Sequence, residues 1–297
     1  MLDRLKQSLQ EYKPLDKLAF DKMALDRIIS AKSFGHHHTD EVNETSFRED
    51  SLRLLSFNIQ AGQSTNRYRD YLTKSWKQFI PTANLPHLNQ LSNIIGQYDM
   101  VALQEVDGGS IRSGFINQVS YIAERENFEY WYQQLNRDFG QIGQFSNGFL
   151  SRRKPYTVES HKLPGWRGRG AIVAKFGNPD NPLVLVGLHL ALGEKNRYLQ
   201  LEYVREIIDQ YSHVIIMGDL NCQSDQLIDT PLRDLGLKQA SNPLNTFPSW
   251  QPSKNLDHIL VTPNLKINRV EALPITLSDH LPIAMEIGIP ADLKTLH

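Results

Sequence analysis

The sequence predicts an α/β or α+β layered sandwich, and two observations carry this prediction. From Ser51 onward, short runs rich in Val, Ile, Leu and Phe alternate with longer segments in which apolar residues recur at helical spacing. The strand candidates outnumber the helix candidates, and such strands are buried only when layers of secondary structure cover their faces. With 297 residues, 40% of them apolar, the chain can bury one large core or two small ones.

The elements follow one another in a regular order. Short apolar runs predict strands at 53–58, 100–105, 128–133, 148–151, 171–176, 183–189, 214–217, 257–261, 266–272 and 281–287. Amphipathic segments with apolar residues three and four apart predict helices at 85–95, 115–126 and 194–211. We find no internal repeat, so a repeat architecture is not expected.

The first fifty residues differ from the rest of the chain. Apolar residues recur at helical spacing over residues 2–30, with Pro14 between two halves, which predicts two short amphipathic helices. We expect them to pack on the main domain; a membrane-surface or partner-binding arm is the alternative, which the alternating charges disfavour. The predicted organisation is an N-terminal helical arm and linker at 1–50, a main domain at 51–289 and a C-terminal tail at 290–297.

Composition excludes several classes of protein. The chain has 32 basic and 33 acidic residues, so it has no global positive field of the kind that indicates a nucleic-acid binder. Cys222 is the only cysteine, which excludes an intramolecular disulfide and a cysteine-based zinc site. We see neither a secretory signal nor an apolar stretch near the roughly 18 residues of a membrane span. We therefore expect a cytoplasmic monomer with no membrane span.

The chemistry-bearing residues stand at the ends of strand candidates. Leu256-Asp257-His258 stands before one candidate and Ser278-Asp279-His280 after another. A single such residue is ordinarily a cap or turn residue. Several together predict a ligand site, because ligands of layered α/β folds bind beyond strand carboxyl ends. Four further candidates end on, or lead directly into, a polar residue that can bind a metal or move a proton: Asn58, Glu105, His189 and Asp219.

The residue types fit one kind of chemistry. Carboxylates and an amide are hard oxygen ligands that suit Mg²⁺ or Mn²⁺, and the lack of a cysteine cluster disfavours soft metals. Histidines with neighbouring aspartates supply an imidazole that acts as a base or holds a charged phosphate. This set of residues indicates attack on a phosphate ester.

At these residues the chain resembles the endonuclease/exonuclease/phosphatase superfamily, which has a deoxyribonuclease I-like fold. The resemblance covers the chain from residue 51 to about 289, in the family's order. Each tetrapeptide alone is a weak signal, whereas the ordered set is a strong one. The matching segments are Leu55-Ser-Phe-Asn58, Leu103-Gln-Glu-Val106, Gly187-Leu-His-Leu190, Gly218-Asp-Leu-Asn221, Leu256-Asp-His-Ile259 and Ser278-Asp-His-Leu-Pro282.

The resemblance implies a four-layer α/β sandwich, in which two packed mixed β-sheets are flanked by helices and the site lies at one edge. It implies a metal site for Mg²⁺ (or Mn²⁺) formed by Asn58, Glu105 and Asp279. The catalytic residues that it implies are His189, Asp219, Asn221, Asp257 and His280.

The resemblance also implies roles for the catalytic residues, and it leaves two points open. Asp219 and Asn221 would position or deprotonate the attacking water and contact the phosphate, while Asp257 would orient His280. His189 would be a second imidazole near the leaving or non-bridging oxygen. Whether Asp219 or His280 takes the water proton stays open, as does the choice between one and two metal ions.

Two further residues are candidates for substrate binding. Arg169, in Arg167-Gly-Arg-Gly170, precedes a strand candidate and is a predicted phosphate contact, because a guanidinium binds phosphate bidentately. A solvated turn explains this segment equally well. Asn147 matches a family segment that lines the site, although a turn residue is the simpler interpretation.

Three hypotheses for function result. The first is a phosphodiesterase that acts on a small or lipid-derived phosphodiester, so that its partner is a small molecule or a lipid head group rather than a nucleic acid. The second is a nuclease acting on DNA or RNA, which would show a positive groove and salt-sensitive activity. The third is a non-catalytic binding protein that reuses the fold, which the complete set of polar residues disfavours.

Overall fold

The computed structural model describes residues 34–36, 50–62, 85–140, 143–165 and 168–293. The helices predicted over residues 2–30 lie outside the described residues, as do most of the predicted linker and the end of the predicted tail. Phe34–His36, which belong to the segment predicted as a linker, form a short strand.

The described residues contain twelve strands and three α-helices. The strands are β1 Phe34–His36, β2 Ser51–Asn58, β3 Met100–Asp107, β4 Tyr130–Asp138, β5 Gln144–Ser151, β6 Pro155–Lys162, β7 Gly170–Phe176, β8 Leu183–His189, β9 His213–Asp219, β10 Asp257–Val261, β11 Lys266–Ala272 and β12 Ile283–Gly288. The helices are α1 Leu85–Ile95, α2 Gln118–Arg125 and α3 Glu194–Ile208.

Every strand predicted from the apolar runs is present, but β6 was not predicted. Its sequence is polar and its side chains are mostly part-exposed, because it is the edge strand of its sheet and pairs only with β7. An edge strand of this kind lacks the apolar signal that marks buried strands.

The three predicted helices are confirmed, two of them with shorter bounds. α2 begins at Gln118 rather than at 115, because Phe115 has a positive φ of 65° and the side chain of Asn117 caps the helix. α3 ends at Ile208, before the predicted residue 211. None of the helices in the described part of the chain is long and apolar enough to cross a membrane.

The strands form two mixed sheets packed face to face. The seven-stranded sheet has the order β1-β4-β5-β3-β2-β12-β11, and the five-stranded sheet has the order β10-β9-β8-β7-β6. Alternate residues of both sheets meet in one core: Leu54 and Met285 of the larger sheet and Leu185 and Met217 of the smaller belong to it.

Helices cover the two outer faces. The opposite face of the smaller sheet packs on α3, so that Val186 and Ile216 lie in a second core with Leu201 and Val204. α2 contacts β3, β4 and β5 of the larger sheet, and α1 contacts α2. The predicted four-layer sandwich of two mixed sheets flanked by helices is therefore confirmed.

Strand direction brings the predicted site residues to one edge. β2 runs parallel to β3, and β8 runs parallel to β9, so their carboxyl ends lie together within each sheet. β10 is antiparallel to β9, with Asp257 opposite Asp219, and β12 is antiparallel to β2, with Ile283 opposite Ser56. The beginnings of β10 and β12 therefore lie beside the ends of β9 and β2.

Gly218, directly before Asp219 in β9, has no room for a side chain. Its φ is 157°, and a Cβ placed on it would lie 1.9 Å from the backbone oxygen of Leu188 in the neighbouring strand. Because backbone atoms cannot move aside as a flexible side chain can, only glycine lets β8 and β9 approach this closely.

We expect Gly218→Ala to lower the free energy of unfolding by about 3 kcal/mol through overpacking. Gly288→Ala is the matched control, since Gly288 also lies in a strand but a Cβ there would make ordinary contacts beginning at 3.8 Å. We expect the control to change stability by less than about 1 kcal/mol. Urea denaturation measures both variants, and equal effects would contradict the steric explanation.

Candidate active site

The edge where these strands end gathers the predicted residues from both sheets. β2 and β3 of the larger sheet supply Asn58 and Glu105, while β8 and β9 of the smaller sheet supply His189 and Asp219. Asp257 begins β10. Three more predicted residues stand in the adjoining loops: Asn221, Asp279 and His280.

Asp219 is the centre of this arrangement. Its Oδ2 accepts a hydrogen bond of 3.2 Å from Nδ2 of Asn58, and lies 3.4 Å from Nε2 of His189 and 3.8 Å from Nε2 of His280. Its Oδ1 accepts a 2.9 Å bond from the backbone N–H of Asn221. Asp219 is only 2% exposed, so these contacts replace the water that a carboxylate requires.

Asn221 is held in the geometry that this contact needs. Its backbone is left-handed, with φ 50°, a conformation that asparagine adopts more readily than most residues. Its Nδ2 donates to the backbone oxygen of Leu190 at 3.0 Å, which ties the loop after β9 to the end of β8.

Asp257 and His280 form a buried pair. Nδ1 of His280 lies 2.7 Å from Oδ2 of Asp257, and the same oxygen accepts a 2.5 Å bond from the hydroxyl of Thr246. The ring of Phe247 packs against the imidazole, with ring centres 4.9 Å apart. A carboxylate on Nδ1 fixes the imidazole and leaves its Nε2 directed toward Asp219.

The pKa values of the two histidines are shifted in opposite directions. Burial alone would lower the pKa of His280, but Asp257 and Asp219 outweigh this effect and raise it well above its ordinary value. Burial, followed by the charge of Arg169, lowers the pKa of His189 well below its ordinary value. One imidazole is therefore held as a cation and the other as a neutral ring.

The carboxyl of Asp219 has a strongly shifted pKa. Burial raises its pKa to about 7, with Asp257 adding to the rise and His280 opposing it. A carboxyl whose pKa lies near neutrality is suited to exchanging a proton with a bound reactant.

Glu105 and Asp279 form a second group, in which Glu105 is half-buried and Asp279 is buried. Glu105 has a φ of 55° and lies where the pairing of β3 with β5 shifts register between Leu103 and Val106. Such a bulge redirects a side chain out of the sheet's alternation. Burial raises the pKa of Asp279, and the charge of Glu105 adds to this rise, so the two carboxyls lie within electrostatic reach of each other.

These residues fit a hard divalent cation. The carboxyls of Glu105 and Asp279, together with the amide oxygen of Asn58, form an oxygen donor set of the kind that Mg²⁺ and Mn²⁺ prefer. Asp219, Asp257 and His280 also offer three ligand atoms within 4.8 Å of one another. In that second group, however, the 2.7 Å contact between His280 and Asp257 already engages Nδ1.

Arg169 and Asn147 both line a cavity of about 130 Å³ beside Glu105 and His189. Burial lowers the pKa of Arg169, while Glu105 and Asp219 oppose the shift, so its guanidinium lies in the field of both carboxylates. Nδ2 of Asn147 donates to the backbone oxygen of Gly170 at 2.9 Å, which links the two sheets. Asn147 lies inside β5, so its interpretation as a turn residue was wrong.

A model of the endonuclease/exonuclease/phosphatase family matches residues 55–280, a span that contains every predicted site residue. The chain belongs to this family. Its known members act on phosphoester bonds, as endonucleases, exonucleases and phosphatases. None of the curated proteins compared with the chain matches it.

Solved structures of this family have the same fold. One is an endonuclease/exonuclease/phosphatase from Beutenbergia cavernae, with 18% identity, a TM-score of 0.61, and coverage of 81% of this chain and 72% of that one. A mannosyl-6-phosphatase from Bacteroides thetaiotaomicron has 17% identity, a TM-score of 0.58, and coverage of 80% of this chain and 99% of that one. D. rerio TDP2 complexed with a single-strand DNA product has 17% identity, a TM-score of 0.60 and coverage of 80% and 99%.

Two residues that support the site through hydrogen bonds were not predicted as site residues from the sequence. Thr246 was not predicted as a site residue, since its bond to Asp257 depends on a loop contact that sequence does not show. Gln118 was predicted only as part of a helix. Its side chain accepts a 2.8 Å bond from the N–H of Asp107 and donates a 2.9 Å bond to the backbone oxygen of Ala61.

The amide of Gln118 therefore clamps two chain segments together. Ala61 lies three residues after Asn58, and Asp107 lies two residues after Glu105. Gln118 is only 4% exposed, so water cannot replace either bond if the amide is removed. The clamp fixes the spacing between the two strand ends that carry predicted metal ligands.

We expect Gln118→Met to lower the free energy of unfolding by about 2 kcal/mol, because it leaves a buried N–H and a buried carbonyl unpaired. Gln97→Met is the control: the Gln97 amide also donates to a backbone oxygen, that of Asn93, but at an exposed site. The control should cost less than about 0.5 kcal/mol. Equal losses in thermal and urea denaturation would refute the clamp.

Proposed function

We propose that this chain is a divalent-metal-dependent phosphoesterase that hydrolyses a phosphodiester by in-line attack of an activated water. One observation supports the proposal: the two carboxyls that suit a metal ion, those of Glu105 and Asp279, lie at the same edge as a buried aspartate and two histidines. Metal-assisted hydrolysis needs the metal ligands and the proton-transferring groups within the length of one phosphate group.

Glu105, Asp279 and Asn58 would hold the metal ion, Mg²⁺ or Mn²⁺. The metal, when bound, supplies Lewis-acid neutralisation of charge on the phosphoryl oxygens. Arg169 adds a second positive charge on the same side, since it lines the cavity with Glu105 and its guanidinium geometry matches phosphate oxygens.

Asp219 is our candidate for the group that takes the proton from the attacking water. Its Oδ2 faces both imidazoles, and its Oδ1 is fixed by the N–H of Asn221, so the carboxylate is held in one orientation. A fixed carboxylate with a pKa near neutrality accepts a proton without first losing hydration.

His280 acts in this proposal as a cation held by Asp257. Its positive charge opposes the negative charge that develops on the phosphoryl oxygens in the transition state. Burial keeps His189 neutral. Depending on its tautomer, a ring nitrogen of His189 donates a hydrogen bond to the phosphate or accepts one, and so positions the phosphate without adding charge. The Asp257 contact and the Thr246 hydroxyl keep His280 in place.

Nuclease activity is the second candidate, and two observations favour it. D. rerio TDP2, which shares the fold, is complexed with single-strand DNA product. In this chain, Phe139 is 53% exposed and stacks edge-on against Phe145, which lines the cavity beside Glu105. An exposed aromatic ring near a phosphate site suits an unpaired base.

The mannosyl-6-phosphatase among the structural neighbours makes phosphomonoesters a necessary part of any substrate test. A panel of bis(4-nitrophenyl) phosphate, 4-nitrophenyl phosphate, single-stranded DNA, RNA and sphingomyelin, each with Mg²⁺, Mn²⁺ or EDTA, separates the substrate classes. We expect metal-dependent turnover of the diester, and salt-sensitive cleavage of DNA or RNA only if the chain is a nuclease.

We expect Glu105→Gln to lower kcat for bis(4-nitrophenyl) phosphate at least about 100-fold, because it removes a charged oxygen ligand while keeping the shape of the side chain. Glu124→Gln is the matched control, since Glu124 is exposed near the C-terminal end of α2 and is none of the site residues. It should retain activity within about twofold.

EDTA should abolish the wild-type activity, and added Mg²⁺ or Mn²⁺ should restore it. Activity that survives both EDTA and Glu105→Gln would contradict a metal-dependent mechanism. Turnover of none of the panel's substrates, in a folded protein that binds the metal, would favour the non-catalytic binding hypothesis.

A further inference from the structure

Two buried amides of the larger sheet reach across to the smaller sheet beside Arg169. Gln134 of β4 and Asn147 of β5 lie directly opposite each other where these two strands pair. Nδ2 of Asn147 donates to Oε1 of Gln134 at 3.3 Å, so the two side chains form one polar pair. Both residues are buried, and neither has a role in the proposed hydrolysis.

The amide pair binds consecutive carbonyls at the start of β7. Nδ2 of Asn147 donates to the backbone oxygen of Gly170 at 2.9 Å, and Nε2 of Gln134 donates to that of Ala171 at 3.1 Å. The same Nε2 donates to the hydroxyl of Ser160, in the neighbouring β6, at 2.8 Å. The pair therefore fastens the beginning of β7 and the end of β6 to the larger sheet.

The segment that carries Arg169 needs such support, because a glycine lies on each side of it. Gly168 has a positive φ of 93°, and a Cβ on Gly170 would lie 2.2 Å from Oε1 of Gln134. Glycine adopts more backbone conformations than any other residue, and a long side chain such as that of arginine has many rotamers. Without support, this segment would hold the guanidinium in no single place.

Hydrogen bonds to three successive carbonyls supply the support. The N–H of Leu163 donates to the backbone oxygen of Arg169 at 3.1 Å. The amide pair binds the next two carbonyls, those of Gly170 and Ala171. The guanidinium that extends from this fixed backbone lies in the field of two site carboxylates. The amide pair thus helps to set the direction in which the Arg169 side chain leaves the strand.

The amide pair also fixes one side of the cavity. The bond between Asn58 of β2 and Asp219 of β9 links the sheets on the other side. In the larger sheet β3 lies between β2 and β5, and in the smaller sheet β8 lies between β9 and β7. The two links therefore flank the strands that carry Glu105 and His189, which line the cavity together with Arg169.

We propose that Gln134 and Asn147 are positioning residues, which act through Arg169 to hold its guanidinium against a phosphate group of the substrate. The inference rests on the proposed function, because it takes Arg169 as a phosphate contact. Asn147, for which the sequence predicted a direct substrate contact, has an indirect role in this proposal. A guanidinium matches two phosphate oxygens only in the right orientation, so loss of the amide pair weakens phosphate binding without removing a charge.

A double-mutant cycle tests the inference, with inorganic phosphate as the probe in calorimetric titrations that contain Mg²⁺. We expect Gln134→Met, which removes the amide but keeps the length of the side chain, to weaken phosphate binding at least about 5-fold. We expect Arg169→Met to weaken it at least about 10-fold. Gln134→Met added to Arg169→Met should change the affinity less than about twofold, because no guanidinium is then left to position.

Gln133→Met is the matched control for the loss of a buried amide. Gln133 precedes Gln134 in β4, is 8% exposed and points to the opposite face of the sheet, where its amide bonds Asn117 and Ser146. It should lower stability to urea as Gln134→Met does, while phosphate affinity stays within about twofold. If Gln134→Met does not fold, Asn147→Leu removes the same pair from β5, with the same expected results.

Failure of the proposed function is seen separately, as a wild-type protein that binds phosphate but does not hydrolyse bis(4-nitrophenyl) phosphate with Mg²⁺. The inference itself would be overturned if the wild type bound no phosphate, or if Arg169→Met bound it as tightly as the wild type. Equal effects of Gln133→Met and Gln134→Met on phosphate affinity would also overturn it. So would a full loss from Gln134→Met in the Arg169→Met background, because the amide would then act independently of the guanidinium.

Discussion

The hydrogen bond between Asn58 and Asp219 joins the two sheets at the edge where the candidate site lies. One residue ends β2 of the larger sheet and the other ends β9 of the smaller, and both are 2% exposed. A bond between two buried polar groups is stable only if the packed sheets keep these strand ends at a fixed separation. The shared core between the sheets supplies this constraint. Gly218 allows β9, the strand that ends in Asp219, to lie close to β8 within the smaller sheet.

The candidate site divides into two parts around this bond. Glu105 and Asp279 offer carboxylate oxygens that suit a cation, whereas Asp257 and His280 form a hydrogen-bonded pair suited to holding charge. Asp219 lies between the parts, next to the amide of Asn58 and both imidazoles. Groups that bind a cation and groups that hold a positive charge can lie at one edge because residues from both sheets reach it.

Much of this arrangement could be predicted from sequence, because strand ends are marked locally. Asn58, Glu105 and Asp219 follow apolar runs, and the ordered tetrapeptides around them resemble the family to which the chain belongs. The sequence did not show β6, whose exposed edge position leaves no apolar pattern. It also did not show the roles of Gln118 and Thr246, since each depends on contacts across a loop or between distant strands.

The central claim is that the cation belongs to Glu105 and Asp279 and the proton chemistry to Asp219 with the histidines. A crystal structure of the protein soaked in Mn²⁺, with anomalous scattering recorded, tests it most directly. We expect an anomalous peak within about 2.5 Å of carboxylate oxygens of Glu105 and Asp279. A peak held instead by Asp219, Asp257 and His280, with Glu105 unliganded, would contradict the claim.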